Sequence, residues 1–351
     1  QLGKFYGNIP FYMVNPGTPY LVAQKSADEV YDAVIKDLED AIDSKKLPMR
    51  WDDADLGRVS QATAYMLYAE MVMYQNDQSR YTKALGYLQE IINSGLYALN
   101  PSYANIFEES GEWSSESIFE INYKDDKAVR AWSNVDAAGG TVLPRLISPS
   151  DWKTGSEGVE NGWGFGPVRT ETYNMFATGD TRRDVTCFDA RQGSYTKRYQ
   201  DTGFFLGKYI AKTANNAKQI ADADLNFNNN LRIYRYAETL LDAAELLLRT
   251  NGSTAQAQEY LNLVHHRAGL TDNKAATIDN IIEERHLEFV GEGKRYWDLI
   301  RTGKAATILD QNAYGKRTNS RRESKKYLPI PQSEIDETQN TLTQNKQSTI
   351  N

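Results

Sequence analysis

The sequence has few of the side chains that build redox, disulfide or transition-metal sites. Among its 351 residues there are one cysteine and three histidines. A single thiol, Cys187, excludes an internal disulfide and any multi-cysteine metal site, and we interpret it as a small buried hydrophobe. His265 and His266 are adjacent, about 100° apart around a helix, and His286 belongs to a later helix. The three histidines are therefore not predicted to form a ligand set.

An excess of positive charge and long apolar runs are also lacking. Lysine and arginine total 40 against 47 aspartate and glutamate, which gives a formal net charge of −7. This balance offers no basic field for nucleic acid or anionic lipid, so neither is a predicted partner. No apolar run approaches the ~18 residues that a membrane-spanning helix needs, and no signal peptide is recognisable.

Common catalytic motifs are missing as well. The chain contains none of the patterns H-E-x-x-H, G-x-S-x-G or G-K-[ST]. Acidic residues are abundant, so composition alone leaves a glycosidase carboxylate pair open. The conspicuous ones, Glu283, Glu284 and Glu288, lie on a predicted amphipathic helix, where a solvated or ion-paired face is ordinary. We therefore predict that the protein is not an enzyme.

The chain does contain amphipathic helices in its first and last thirds. Ser26 and Glu29 form a capping box, and the apolar spacing behind it predicts a helix that ends before Pro48. Further helices are predicted at Ser60 to about Tyr74, Lys83–Asn93, Leu231–Arg249 and Ser253 to Gly269. Helix pairs of this size, with small residues at the crossing, resemble tetratricopeptide-type repeats, which must stack on neighbours to bury their apolar faces.

Residues 100–230 have a different composition, rich in glycine and in long loops. They open with a predicted strand at 117–123 and include the alternating run Gly162-Trp163-Gly164-Phe165-Gly166. Four of the six tryptophans lie here: Trp113, Trp132, Trp152 and Trp163. We therefore divide the chain into a helical region (1–99), a loop-rich insertion (100–230) and a C-terminal helical region (231–351). These parts are expected to form one continuous structural unit.

The tryptophans of the insertion are the best candidates for a ligand site. A sugar presents an apolar face and a rim of hydroxyls, so its site needs flat aromatic rings together with polar side chains. Both kinds occur at the candidate glycan-binding residues Trp132, Asn134, Arg145, Asp151, Trp152, Lys153 and Trp163. The alternative is that these indoles are core anchors that pin a glycine-rich coil. Trp51 and Trp297 lie in scaffold-like contexts, and there we favour a core role.

A weak pattern for a cation lies further along the insertion. Asp222, Asp224 and Asn226 place oxygen side chains at alternate positions, as calcium prefers. The segment lacks the turn glycine and terminal glutamate of an EF-hand, so a solvated polar loop is the better interpretation. No cofactor is predicted beyond this possible structural calcium.

Several segments, in the same order, resemble the SusD/RagB-like family of surface nutrient-binding lipoproteins. The most informative is Ile281–Gly303, where a charged helix is broken at Gly291 and Gly293 and resumes with an anchoring Trp297. From its residues we interpret this segment as a packed, ion-paired corner of a scaffold, in preference to a catalytic cluster. The other matching segments are Tyr6–Pro10, Gly57–Ser60, Ser114–Ile121, Asp180–Asp184, Leu231–Glu238 and Tyr327–Pro331.

The resemblance implies a mostly α fold, in which tetratricopeptide-like helix pairs carry a large irregular insertion and a few short strands. It implies a non-catalytic protein at the extracellular face of the outer membrane, held there by an N-terminal lipid anchor outside this chain. Its implied role is to capture oligosaccharide or polysaccharide and deliver it to a SusC-like TonB-dependent transporter.

The same resemblance leaves two other ligands open. A RagB-type relative would bind peptide in an open cleft, and a helical-repeat adaptor would hold a protein partner in a groove between helices. The family's N-terminal portion, which usually contributes an anchor and part of the ligand platform, is expected to be missing here. The aromatic residue that often closes family members is also lacking.

Overall fold

The computed structural model describes residues 1–19, 21–153, 158–309, 327–339 and 341–345. These residues are mostly α-helical with a few short strands, which confirms the predicted fold class. The α-helices are α1 (Leu2–Tyr6), α2 (Ala27–Asp43), α3 (Gln61–Gln75), α4 (Tyr81–Asn93), α5 (Leu143–Ile147), α6 (Thr170–Met175), α7 (Arg182–Thr186), α8 (Tyr236–Arg249), α9 (Thr254–Arg267), α10 (Ile278–Glu288), α11 (Arg295–Arg301), α12 (Ala305–Ile308) and α13 (Gln332–Glu337). In the described residues, no helix is both long and apolar enough to span a bilayer.

The strands form three small antiparallel sheets of two strands each. They are β1 (Ile9–Pro10), β2 (Gln24–Lys25), β3 (Ser117–Ile121), β4 (Cys187–Asp189), β5 (Phe204–Leu206) and β6 (Leu231–Arg235), and they pair as β1 with β2, β3 with β6 and β4 with β5. Cys187 in β4 is buried, as predicted, and burial raises the pKa of its thiol to about 12.

The chain divides into two compact units, and each combines stretches that are far apart in sequence. The first unit holds Gln1–Leu47, Leu67–Tyr81 and Arg295–Asn351, and the second holds Pro48–Met66 and Thr82–Lys294. All seven candidate glycan-binding residues belong to the second unit.

Most of the predicted helices are present where the sequence indicates them. The capping box at the start of α2 is formed, because Glu29 N–H donates to Ser26 Oγ and Ser26 N–H donates to the Glu29 carboxylate at 2.8 Å. The rings of Tyr65 and Tyr87, from α3 and α4, stack with centroids 4.3 Å apart. Helices α8 and α9 likewise pack against each other as predicted.

The predicted start of the helix at Leu231 is wrong. Residues Leu231–Arg235 form β6 and pair with β3, and α8 begins only at Tyr236. The apolar spacing of this segment fits a helix, but the free edge of β3 supplies partners from more than a hundred residues earlier. Tertiary context therefore overrides the local pattern, and Tyr236 N–H donates to Glu116 O where the strand becomes a helix.

The charged helix α10 is not a solvated face. Glu284 and Glu288 have fully buried side chains, whereas the Glu283 side chain is 51% exposed and pairs with Lys274. Buried Arg182 reaches Glu284 Oε1 at 2.7 Å and Glu288 Oε2 at 3.1 Å. The ion-paired alternative is thus confirmed, and the solvated one is wrong for two of the three glutamates.

Two further arginines complete what we call the ionic network, formed by Arg182, Arg235, Arg267, Glu116, Glu284, Glu288 and Glu292. Arg235 Nη1 lies 2.6 Å from Glu116 Oε1 and 2.9 Å from Glu288 Oε1. Glu288 therefore faces three arginines. Arg182 and Arg235 belong to the matching segments Asp180–Asp184 and Leu231–Glu238, so the residues that carry the resemblance build the interior of the scaffold.

Candidate functional site

Two tryptophans from separate loops of the second unit meet at its surface. The Trp132 and Trp163 rings stack with centroids 6.0 Å apart and planes at 24°, and Phe165 meets Trp163 edge-on at 6.4 Å. Trp132 is 55% exposed and Phe165 is 57% exposed, while Trp163 is half-buried. We call Trp132, Trp163 and Phe165 the aromatic platform. It offers a wet, ring-lined surface of the kind that stacks on a flat apolar ligand.

Trp132 lies in a tight turn that hydrogen bonds hold in place. Ala131 and Asn134 exchange two backbone hydrogen bonds, at 2.8 and 3.3 Å, so the intervening residues project outward. Trp132 N–H donates to Asp222 Oδ2 at 2.8 Å, which anchors the turn to a distant loop. Asn134, two residues after Trp132, is exposed to solvent.

Arg145 is buried beneath the loops of the platform instead of lying at an exposed rim. Its guanidinium lies 2.7 Å from Glu160 Oε2 through Nη2 and 2.7 Å from Asp224 Oδ1 through Nε, and it donates to Asn161 Oδ1 at 2.9 Å. Its charge also lies over the Phe227 ring, 5.3 Å from the centroid. Arg145 thus joins the segment that precedes Trp163 to the loop that holds Trp132.

Trp163 is held by the same short helix. Its N–H donates to Arg145 O at 2.8 Å. The preceding Gly162 lies so close to α5 that an added Cβ would come within 2.5 Å of Ser148 O and 2.6 Å of Arg145 O. Only glycine fits there, and this close approach fixes where the indole begins.

Trp152 does not join the platform. Its ring packs edge-on against Phe188 at 5.2 Å, it is half-buried, and its Nε1 is buried without a hydrogen-bond partner among the described residues. Its neighbours Asp151 and Lys153 are both exposed. Asp151 has a φ of 54°, which lies in the left-handed region.

The candidate calcium ligands each have a protein contact. Asp222 accepts from Trp132 N–H, Asp224 pairs with Arg145, and Asn226 donates to Arg130 O at 2.8 Å. Among the described residues there is no group of three or more His, Cys, Asp or Glu side chains placed to hold a metal ion. The loop acts here as a brace under the platform, and not as the freely solvated loop that the sequence favours.

Sequence reasoning missed Phe165 and three exposed apolar side chains near Trp132, namely Val129, Val135 and Ile220. Ile220 N–H donates to Ala128 O at 3.1 Å, which brings its loop beside the segment that carries Val129. The signal for Phe165 was available in the alternation of glycine and aromatic residues at 162–166. The signal for Ile220 was not, because only the tertiary fold brings the two loops together.

The chain is similar to known proteins in both sequence and fold. The model of the SusD family matches residues 181–347. The SusD-like protein P25 of Formosa agariphila is 26% identical over 95% of this chain and 67% of its own length.

Solved structures match more strongly. Surface glycan-binding protein A from Bacteroides thetaiotaomicron is 57% identical to this chain, with a TM-score of 0.92. The match covers 98% of this chain and 74% of that protein. The same protein has also been solved in complex with laminarihexaose. Surface glycan-binding protein A from Bacteroides uniformis is 49% identical with a TM-score of 0.86, over the same shares of the two chains. This chain thus spans about two thirds of its curated relative and three quarters of these solved proteins.

Proposed function

Because the chain belongs to the SusD family, we propose that it binds an oligosaccharide or polysaccharide and that the aromatic platform makes the principal contact with the sugar. The observation that carries the proposal is the exposed stack of Trp132 on Trp163, with Phe165 at its edge. Rings held in this way offer flat apolar surface to the C–H face of a pyranose, while leaving the sugar hydroxyls to water and nearby polar groups.

The affinity should be modest and should come from several weak contacts. Each ring stack contributes about 1 kcal/mol, and each hydroxyl exchanges one hydrogen bond for another at little net gain. Exposed Asn134, Asp151 and Lys153 are the proposed polar partners for the hydroxyls. Trp152, which is half-buried against Phe188, is proposed to contribute an edge and not a face.

Laminarin oligosaccharides are the first ligands to test. The solved protein at 57% identity carries laminarihexaose in one of its structures. That identity supports the same class of ligand here.

The protein is further proposed to act without breaking bonds. The two buried glutamates of α10 considered above as a carboxylate pair, Glu284 and Glu288, are both paired with arginine. Burial opposes ionisation of both, but the hydrogen bond with His265 and the charge of Arg182 lower the pKa of Glu284 to about 2. The charges of Arg267, Arg235 and Arg182 likewise lower the pKa of Glu288. A general acid needs a raised pKa, so these groups are poorly suited to the role.

Family membership supports a cell-surface location, with the protein lipid-anchored at the outer membrane. There it would pass the captured glycan to a SusC-like TonB-dependent transporter. Co-purification of the full-length protein with such a transporter from outer membranes tests this part separately from ligand binding.

Calorimetry with laminarihexaose and a glycan panel tests the binding proposal. Trp132→Ala and Trp163→Ala should each weaken binding several-fold, and Trp152→Ala should have a smaller effect. Tyr12→Ala is the control, because Tyr12 is an aromatic residue that is 51% exposed and belongs to the other compact unit. Unchanged affinity in both platform variants would remove the site assignment. Peptide found by mass spectrometry in the purified protein would favour the peptide alternative, and release of reducing sugar would reveal an enzyme.

A further inference from the structure

The compact unit that carries the platform also contains a cavity, whose lining does not include the platform residues. It is partly enclosed, has a volume of about 220 Å³, and is bounded by the segments that follow β3, precede β6 and begin α5. Its walls include Tyr123, Tyr209 and Leu143. An engineered cavity of about 150 Å³ in another protein holds a benzene molecule. A single six-membered ring therefore fits here, whereas an extended chain does not.

The walls of this cavity are rigid. Tyr209 is 1% exposed, packs edge-on against Phe107 at 5.8 Å, and accepts a hydrogen bond from Arg232 N–H. Asn229 is buried and donates to Phe107 O at 3.1 Å. Groups fixed in this way lose little conformational entropy when a ligand arrives.

Within the part of the chain that the structure describes, the lining carries no charged side chain. A charged ligand would lose its hydration there without gaining a counter-ion, which is costly. An uncharged ligand avoids this penalty. The cavity therefore selects for a neutral molecule.

Hydroxyl groups distinguish this cavity from a purely apolar void. Three residues of the lining, Tyr123, Thr141 and Tyr209, carry a hydroxyl group. Thr141 Oγ1 and Tyr209 Oη accept from backbone N–H groups at 3.1 and 3.3 Å, which leaves the hydroxyl proton of each available to a ligand. Two aromatic rings, apolar Leu143 and Leu231, and three hydroxyls together match a ring that has both an apolar face and a polar rim.

We infer that this cavity is a second saccharide subsite, which accepts one neutral pyranose ring independently of the aromatic platform. The choice of a sugar among neutral ring ligands rests on the proposed function, but the cavity itself does not involve Trp132 or Trp163. Helix α5 serves both sites, because Leu143 lines the cavity and Arg145 O fixes Trp163. The pyranose is either a free monosaccharide or one unit of a longer glycan.

The experiment uses methyl β-D-glucopyranoside as the probe and a background in which Trp132→Ala and Trp163→Ala remove the platform. Ligand-observed nuclear magnetic resonance should still detect millimolar binding in this background. Tyr123→Phe, which removes one hydroxyl without changing shape, should weaken it by about three- to tenfold. Leu143→Trp, which fills the cavity, should abolish it, with thermal melting to verify that the variant is folded.

Two results would overturn the inference: no probe binding in the platform-less background, or equal binding after Tyr123→Phe. Laminarihexaose distinguishes the two sources of the ring. If Tyr123→Phe weakens the hexasaccharide as well as the probe, the cavity takes a unit of the bound chain; if it weakens the probe alone, the cavity takes a free sugar. Failure of the proposed function has a different outcome, namely laminarihexaose affinity that survives loss of the platform.

Discussion

The ionic network and the aromatic platform lie in the same compact unit, yet the network is made of buried charged side chains and the platform of exposed aromatic ones. In the network, Glu288 and its three arginines are removed from water and satisfy one another. In the platform, Trp132 and Phe165 keep more than half of their surface in water. Six of the seven residues of the network belong to segments that resemble a family pattern, whereas the platform lies on loops between regular elements. The sequence pattern that identifies the family therefore consists largely of residues that stabilise the scaffold. The ligand surface is found from the exposed aromatic rings of the loops.

Glu288→Gln should produce the largest effect. Removing one carboxylate charge leaves three buried arginines short of a partner, and breaking a buried pair in this way costs about 3–5 kcal/mol of unfolding free energy. Urea denaturation measures the change. Arg183→Ala is the matched control, because Arg183 pairs with Asp184 at the surface and should cost less than about 1 kcal/mol. If the two variants were equally mild, the network would not be the main support of the scaffold.

Acid should weaken the network before it affects the platform. Burial opposes ionisation of Glu284, but the hydrogen bond with His265 and the charge of Arg182 lower its pKa to about 2. A carboxyl group with a lowered pKa stabilises the fold above its unfolded value of about 4.3 and loses that contribution as the pH falls towards 2. The unfolding free energy should therefore fall across this window, and Glu284→Gln should make the fall shallower. Equal slopes for wild type and variant would contradict the assignment.

Arg145→Met tests whether a buried charge, like those of the network, positions the rings of the platform. It removes the guanidinium that pairs with Glu160 and Asp224. We expect glycan affinity to fall by up to about thirtyfold, as loss of alignment costs about 1 kcal/mol for each of the two stacked rings. The exciton signal of the Trp132–Trp163 stack in circular dichroism should weaken in parallel, which a general loss of stability below the melting transition would not cause. Arg191→Met is the control, since Arg191 pairs with Asp189 elsewhere on the surface. An unchanged exciton signal together with full affinity would show that Arg145 does not position the rings.

Trp132→Ala should have the smallest effect on stability. Its ring is mostly exposed, so the unfolding free energy should change by less than about 0.5 kcal/mol. Affinity for laminarihexaose should nevertheless fall about fivefold, the equivalent of about 1 kcal/mol. Thermal melting and calorimetry on the same preparation measure both quantities. A large loss of stability would mean that Trp132 is a core anchor after all.

Local features of the fold were readable from the sequence because they depend on neighbouring residues. The Ser26 capping box and the apolar spacing behind it predict α2 correctly, since both act within a few turns of one helix. Strand β6 was missed because its partner β3 lies far away in the chain. The burial of Glu284 was missed for the same reason, because its partner Arg182 lies about a hundred residues earlier.

The candidate site was predictable in its residue types and not in its arrangement. Polar and aromatic residues in the insertion identify the right region, but nothing local places Trp132 on Trp163 or separates Trp152 from both. Arg145 has a side chain of the kind that hydrogen-bonds sugar hydroxyls. Only its contacts with Glu160 and Asp224 reveal that it is buried.

The missing side chain at Gly162 has a consequence for anyone who wishes to change which sugar this protein selects. Because the backbone there lies against α5 with no room for a methyl group, the inner end of Trp163 is immovable. Variation of ring spacing has to come from the outer members, Trp132 and Phe165. A library built at those two positions should yield altered selectivity, whereas one built at Gly162 should yield mostly inactive clones.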